Sequence, residues 1–255
     1  MNKKELKEFL DKKVEQYNVP DFIPLDPIKI PHQFSDKKDI EIAGFLTATI
    51  AWGNRKSILN NANKMMQLLD NSPADFIKNF EEADLKSITN FVHRTFNSED
   101  LKTFLRALQR FENEYGGLEF AFAKALKSST NLLEAISLFK HDFFQIEHLN
   151  RTQKHLSDPM KGSAAKRILM FLRWMVRKDN AGVDLGIWNE IQARDLYLPL
   201  DVHTGNISRQ LNLLTRKQND AKSVIEITNV LRKFDPTDPI KYDFALFGLG
   251  VFKEL

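Results

Sequence analysis

Leu198-Pro199-Leu200-Asp201-Val202-His203-Thr204 reads as a stiff approach into a helix, with Pro199 fixing the chain and Asp201 standing where the helix begins. Thirty-five positions earlier, Lys166 lies in Lys161-Gly162-Ser163-Ala164-Ala165-Lys166-Arg167, a glycine-opened stretch that starts another helix. Asp is a favoured N-cap because its carboxylate satisfies an otherwise unbonded backbone N–H, so capping alone accounts for Asp201. A carboxylate held there is also kept ionised and oriented by the helix field, which suits a group that stabilises positive charge during a reaction. Ile207, Leu211 and Leu214 then seat that helix in a core.

The preceding helix, expected over 163–178, carries Ile168, Leu169, Phe171, Leu172, Met175 and Val176 on one broad apolar face. Lys166, Arg173 and Arg177 project from the opposite side, with Met170 and Trp174 beside them. Residues 161–178 hold Lys161, Lys166, Arg167, Arg173, Arg177 and Lys178 and no acidic residue. Charged faces usually just solvate. Three features favour phosphate contact here: the missing acidic partners, a tryptophan among the cations, and Gly162-Ser163 at a helix start whose free N–H groups suit an anion.

Composition bounds the rest. A chain of 255 residues, 42% hydrophobic and 28% charged, is large enough to bury a core, and its few Gly (10) and Pro (9) favour helix. The absence of Cys excludes disulfides, Cys-ligated zinc and an all-Cys iron–sulfur cluster, and agrees with a cytoplasmic location. No window approaches the roughly 18 apolar residues of a membrane span, so no membrane partner is expected. The net charge of +3 decides nothing, because phosphate binding depends on local charge density.

Helical patterning runs through about 3–17, 38–52, 55–70, 73–80, 98–115, 118–126, 131–147, 163–178, 203–214, 219–233 and 238–248. The Pro-bearing segment 20–31 reads as an irregular strap. The expectation is an all-α protein forming one globular unit over 1–255, with lobes near 38–150 and 1–37 plus 151–255 flanking a cleft. Trp52, Trp174 and Trp188 are candidates to line a pocket, though each suits a core better. His93 with His141-Asp142 would fit an HD-type metal phosphohydrolase if the three converged on a metal. There is no phosphate-binding glycine loop, Gly-x-Ser-x-Gly elbow or HExxH.

Gly162-Ser163-Ala164-Ala165-Lys166-Arg167, followed by Leu200-Asp201-Val202-His203-Thr204-Gly205-Asn206-Ile207-Ser208-Arg209, resembles the hairpin and acidic element of the helix-hairpin-helix DNA glycosylases, the endonuclease III-like enzymes. The spacing is closer to that of archaeal 8-oxoguanine glycosylases. Gly44–Asn54 is similar to that superfamily's early helix, and Phe234–Gly250 to its closing one. Across essentially the whole chain, Lys161–Ala164, Phe171–Arg177 and Leu198–Thr204 together look like a bacterial family of unknown function.

The glycosylase resemblance implies a helix-hairpin-helix fold and DNA base-excision repair, with AP-lyase activity through a lysine Schiff base. Lys166 matches the nucleophile and Asp201 the catalytic carboxylate. Lys161, Gly162, Ser163, Arg167, Arg173 and Arg177 would contact DNA, and Trp52, Trp174 and His203 would line a base pocket. The partner would be duplex DNA carrying a damaged base, bound by a monomer that needs no cofactor or metal and is nucleoid-associated when on DNA. The hairpin has one glycine where that superfamily has two, so Lys161 is an alternative for the reacting amine. A nucleic-acid-binding protein that kept the fold without the chemistry is the alternative reading.

Overall fold

A computed structural model describes residues 1–254. They form two compact units: a terminal unit, Met1–Ile23 together with the chain from Asp158 onward, and a central unit, Pro24–Ser157. Helix α1 (Lys3–Tyr17) opens the terminal unit. The central unit holds α2 (Lys37–Thr49), α3 (Arg55–Leu68), α4 (Pro73–Asn79), α5 (Glu82–Leu85), α6 (Ser98–Tyr115), α7 (Leu118–Lys127) and α8 (Leu132–Phe143). The terminal unit resumes with α9 (Lys166–Val176), α10 (Val202–Gln210), α11 (Ala221–Leu231) and α12 (Tyr242–Phe252). Among the described residues the only sheet is the antiparallel pair β1 (Val92–His93) and β2 (Phe96–Asn97), with His93 opposite Phe96. The protein is predominantly α-helical, and no described helix is long and apolar enough to cross a membrane.

Local chemistry sets most helix limits. Asn2 and Glu5 form a capping box at α1, Asn97 and Asp100 form another at α6, and the Asp36 side chain accepts from the N–H groups of Lys38 and Asp39 at α2. Gly116 closes α6 at the position its sequence pattern marks. The strap is ordered: its prolines open three 3₁₀ turns, Pro20–Leu25, Pro27–Lys29 and Pro31–Gln33, and Ile28 and Ile30 are fully buried. The chain leaves the terminal unit for the central one inside this strap, between Ile23 and Pro24.

Phenylalanines fill the central unit. Phe45 from α2, Phe104 and Phe111 from α6, Phe122 from α7, and Phe139 and Phe143 from α8 are all buried, and Phe122 stacks on Phe139 with ring centroids 3.7 Å apart. Asp100 is fully buried there. It accepts hydrogen bonds from Thr152 Oγ1 (2.6 Å) and Arg151 (2.9 Å), tying the turn Asn150–His155 to the start of α6. Glu41 of α2 caps α7 through the N–H groups of Leu118 and Glu119, at 3.0 and 3.1 Å. In the terminal unit α12 packs along both α1 and α10, and the Tyr242 hydroxyl donates to Asp11 at 2.9 Å.

The metal phosphohydrolase reading fails in the central unit. His93 is buried between Asn61, 3.0 Å from Nδ1, and the Trp52 carbonyl, 3.1 Å from Nε2. Asp142 pairs with Arg110 (2.8 Å) and accepts from the Tyr115 hydroxyl (2.7 Å). No group of three His, Asp or Glu side chains gathers as a metal would require among the described residues.

Candidate functional site

Lys166 and Asp201 meet in the terminal unit. Lys166 is the first residue of α9 and Asp201 the N-cap of α10, and the lysine Nζ lies 3.1 Å from Asp201 Oδ2. The other carboxylate oxygen, Oδ1, accepts from the Thr204 N–H at 2.9 Å. Capping and ion pairing therefore use different oxygens of one group. Burial pushes the Asp201 carboxyl up, but the Lys166 ammonium and the Thr204 N–H outweigh it and hold the group below the ordinary carboxylate value. The lysine side chain keeps 34% of its surface exposed against 16% for the aspartate, so the lysine is the more exposed member of the pair.

The segment leading into Lys166 differs from the expected helix. The turn Pro159–Lys161 ends at Gly162, whose φ of 89° lies in the left-handed region that glycine tolerates. Ser163 then pairs as an antiparallel bridge with Asp220, and Ala165 adopts a φ of 49° before α9 starts. Gly162 and Ser163 thus precede the helix instead of opening it, and α9 begins without a side-chain cap. Lys161 and Gly162 are exposed and Ser163 is half-buried.

The expected basic face is corrected at two positions. Arg173 and Arg177 are buried, not solvated. Arg173 Nε lies 3.1 Å from Asp184 and its Nη1 pairs with Asp243; Arg177 pairs with Asp184 (3.0 Å), Asp238 (3.0 Å) and Asp179 (2.7 Å). Both guanidinium groups are consumed inside the unit, so neither can meet phosphate. Arg167 is half-buried, and burial pushes its guanidinium down to about 10, still cationic at neutral pH. Trp174 is fully buried and cannot line an open pocket. His203 is exposed on α10, edge-on to Phe247 with centroids 6.3 Å apart, and Trp52 belongs to the central unit, where its ring meets those of His93 and His155. Trp188 is core, packed edge-on against Phe171.

Sequence patterning missed Asp243, the second residue of α12, which joins Arg173 to the charge field of the pair. Burial pushes its carboxyl up to about 6; Arg173 and Lys166 oppose that rise and the nearby Asp201 charge adds to it. The unfolded carboxyl titrates near 4, so the folded state holds a proton that the unfolded chain releases between about pH 4 and 6. Through this one group the fold loses stability as pH rises across that window. A ¹³C titration of the Asp243 carboxyl is expected to give a midpoint near 6, whereas a midpoint near 4 would mean that the Arg173 and Lys166 charges cancel the effect of burial.

Comparison with curated proteins and with solved structures found no match. The sequence model of one family matches residues 26–252, most of the chain and all of α9 to α12. The chain therefore belongs to the family described as "Protein of unknown function (DUF2400)".

Proposed function

We propose that this protein is a DNA base-excision glycosylase on a helix-hairpin-helix glycosylase-like fold, with AP-lyase activity carried by Lys166. The observation that carries the reading is the 3.1 Å approach of the amine of a part-exposed lysine to a carboxylate fixed at a helix N-terminus. Attack by a neutral amine on the sugar C1′ forms a C–N bond and breaks the glycosidic bond, whose electron pair leaves with the base. The proton that the lysine must lose before it attacks passes to water, and Asp201, held ionised, stabilises the positive charge that develops on the sugar. Ring opening leaves a Schiff base, and β-elimination then cleaves the strand on the 3′ side. The target base must first leave the duplex stack.

Duplex contact would fall to Lys161, Gly162, Ser163 and Arg167, since Arg173 and Arg177 are occupied. Affinity for duplex DNA is expected to fall steeply with salt, and Lys161→Ala to reduce the slope of log K against log salt by about one. Equal slopes for the two proteins would remove Lys161 from the interface. The function itself is tested by incubating the protein with duplexes that each carry one oxidised, alkylated, deaminated or abasic site. Release of one class of base with nicking at the abasic site is the expected result. Binding without release across the panel would leave a nucleic-acid-binding protein without the chemistry.

A further inference from the structure

Residues 219–221 touch both arms of the site. Asn219 Nδ2 donates to the Asp201 carbonyl at 2.9 Å, while its Oδ1 accepts from Arg209 at 2.6 Å. The next residue, Asp220, bridges to Ser163, and the Ala221 N–H donates to the Gly162 carbonyl at 3.1 Å. Three consecutive residues thus hold the cap that carries Asp201 and the loop that delivers Lys166. The strip is itself anchored at both ends. Arg209 Nε donates to the Arg216 carbonyl at 2.7 Å, and the Asp220 carboxylate accepts from the Ser223 N–H at 2.8 Å, capping α11.

Gly205 makes this arrangement possible. A Cβ at that position would stand 2.6 Å from Asn219 Oδ1 and 3.0 Å from both Asn219 Nδ2 and Arg209 Nη1. The first turn of α10 therefore has a flat face on which the Asn219 carboxamide lies. Asn219 is an exposed residue, so burial of apolar surface does not explain its placement. Its two hydrogen bonds do.

We infer that Asn219 is a positioning residue for the Lys166–Asp201 pair, fixing the Asp201 cap relative to the loop that carries the lysine. Its donor to the Asp201 carbonyl is the working contact, because Arg209 already holds the opposite end of the carboxamide. Displacements of an ångström at a reacting pair cost large factors in rate, and an exposed carboxamide that ties the strip 219–221 to the start of α10 controls such a displacement without touching the substrate.

This inference rests on the glycosylase reading for its rate but not for its geometry, so two readouts are taken on the full chain. Asn219→Ala removes both contacts, Asn219→Asp keeps an acceptor for Arg209 and loses the donor, and Gly205→Ala displaces the carboxamide from the other side. In all three, the ¹³C titration of the Asp201 carboxyl is expected to move up towards the ordinary value, because the Lys166 contact loosens; in Asn219→Asp the added carboxylate pushes it the same way. Borohydride trapping on abasic duplex is expected to slow about tenfold, while affinity for the same duplex changes less than about twofold. An unchanged Asp201 titration in Asn219→Ala and Asn219→Asp would overturn the inference. So would a titration shift accompanied by a wild-type rate of trapping. If wild-type protein traps nothing, the glycosylase reading falls and the titration alone decides the positioning role.

Discussion

Arg177→Ala is expected to destabilise the terminal unit by about 3–5 kcal/mol, the range seen when one member of a buried ion pair is removed and its partners stay behind. Arg177 is 2% exposed and neutralises three carboxylates, those of Asp179, Asp184 and Asp238. The attraction is strong enough to hold Asp179 below its ordinary value despite part-burial, whereas burial keeps Asp238 above its own. Without the guanidinium, Asp184, with a fully buried side chain, retains only Arg173, which also serves Asp243. Urea unfolding followed by hydrogen exchange on α9 and α12 is the check. A loss below about 1 kcal/mol, the ordinary value for an exposed pair, would mean that the network is hydrated.

Asp201→Asn is expected to slow base release about a hundredfold to a thousandfold, the range for removing one preorganised charge-stabilising group. Asparagine caps a helix as well as aspartate does, so the Thr204 N–H keeps an acceptor and α10 keeps its start. What the substitution removes is the negative charge 3.1 Å from the Lys166 amine. Folding and duplex affinity should therefore stay near wild type while single-turnover release falls. Equal losses in affinity and rate would place Asp201 in binding instead of in the chemical step.

The sequence carries most of the helical architecture because helix ends are chemically marked. Asn97, Asp100 and Gly116 delimit α6 as its pattern predicts, whereas the Lys166–Asp201 pairing is what the glycosylase resemblance implies and no helix limit dictates it. What sequence reading lacks is long-range pairing. The helix over 163–178 looks basic and unpartnered because its acidic partners, Asp184, Asp238 and Asp243, lie outside that window; Asp243 is 70 positions from Arg173. The same limit misplaced the start of α9. Its pattern extends to 163, but Ser163 spends its backbone on Asp220, 57 positions away, and the helix waits until Lys166. Helical periodicity also put Trp174 beside the cations, and once those cations are buried the tryptophan is buried with them. Asn219 had no signal in the chain at all, since its role depends on the flat face that Gly205 leaves on another helix.

Borohydride reduction on duplex carrying an abasic site decides whether the Lys166 amine attacks the sugar. Wild-type protein should be trapped covalently, peptide mapping should place the adduct on Lys166, and Lys166→Ala should abolish it. An adduct on Lys161 that survives Lys166→Ala would move the nucleophile to the loop before Gly162 and rule Lys166 out as the reacting amine.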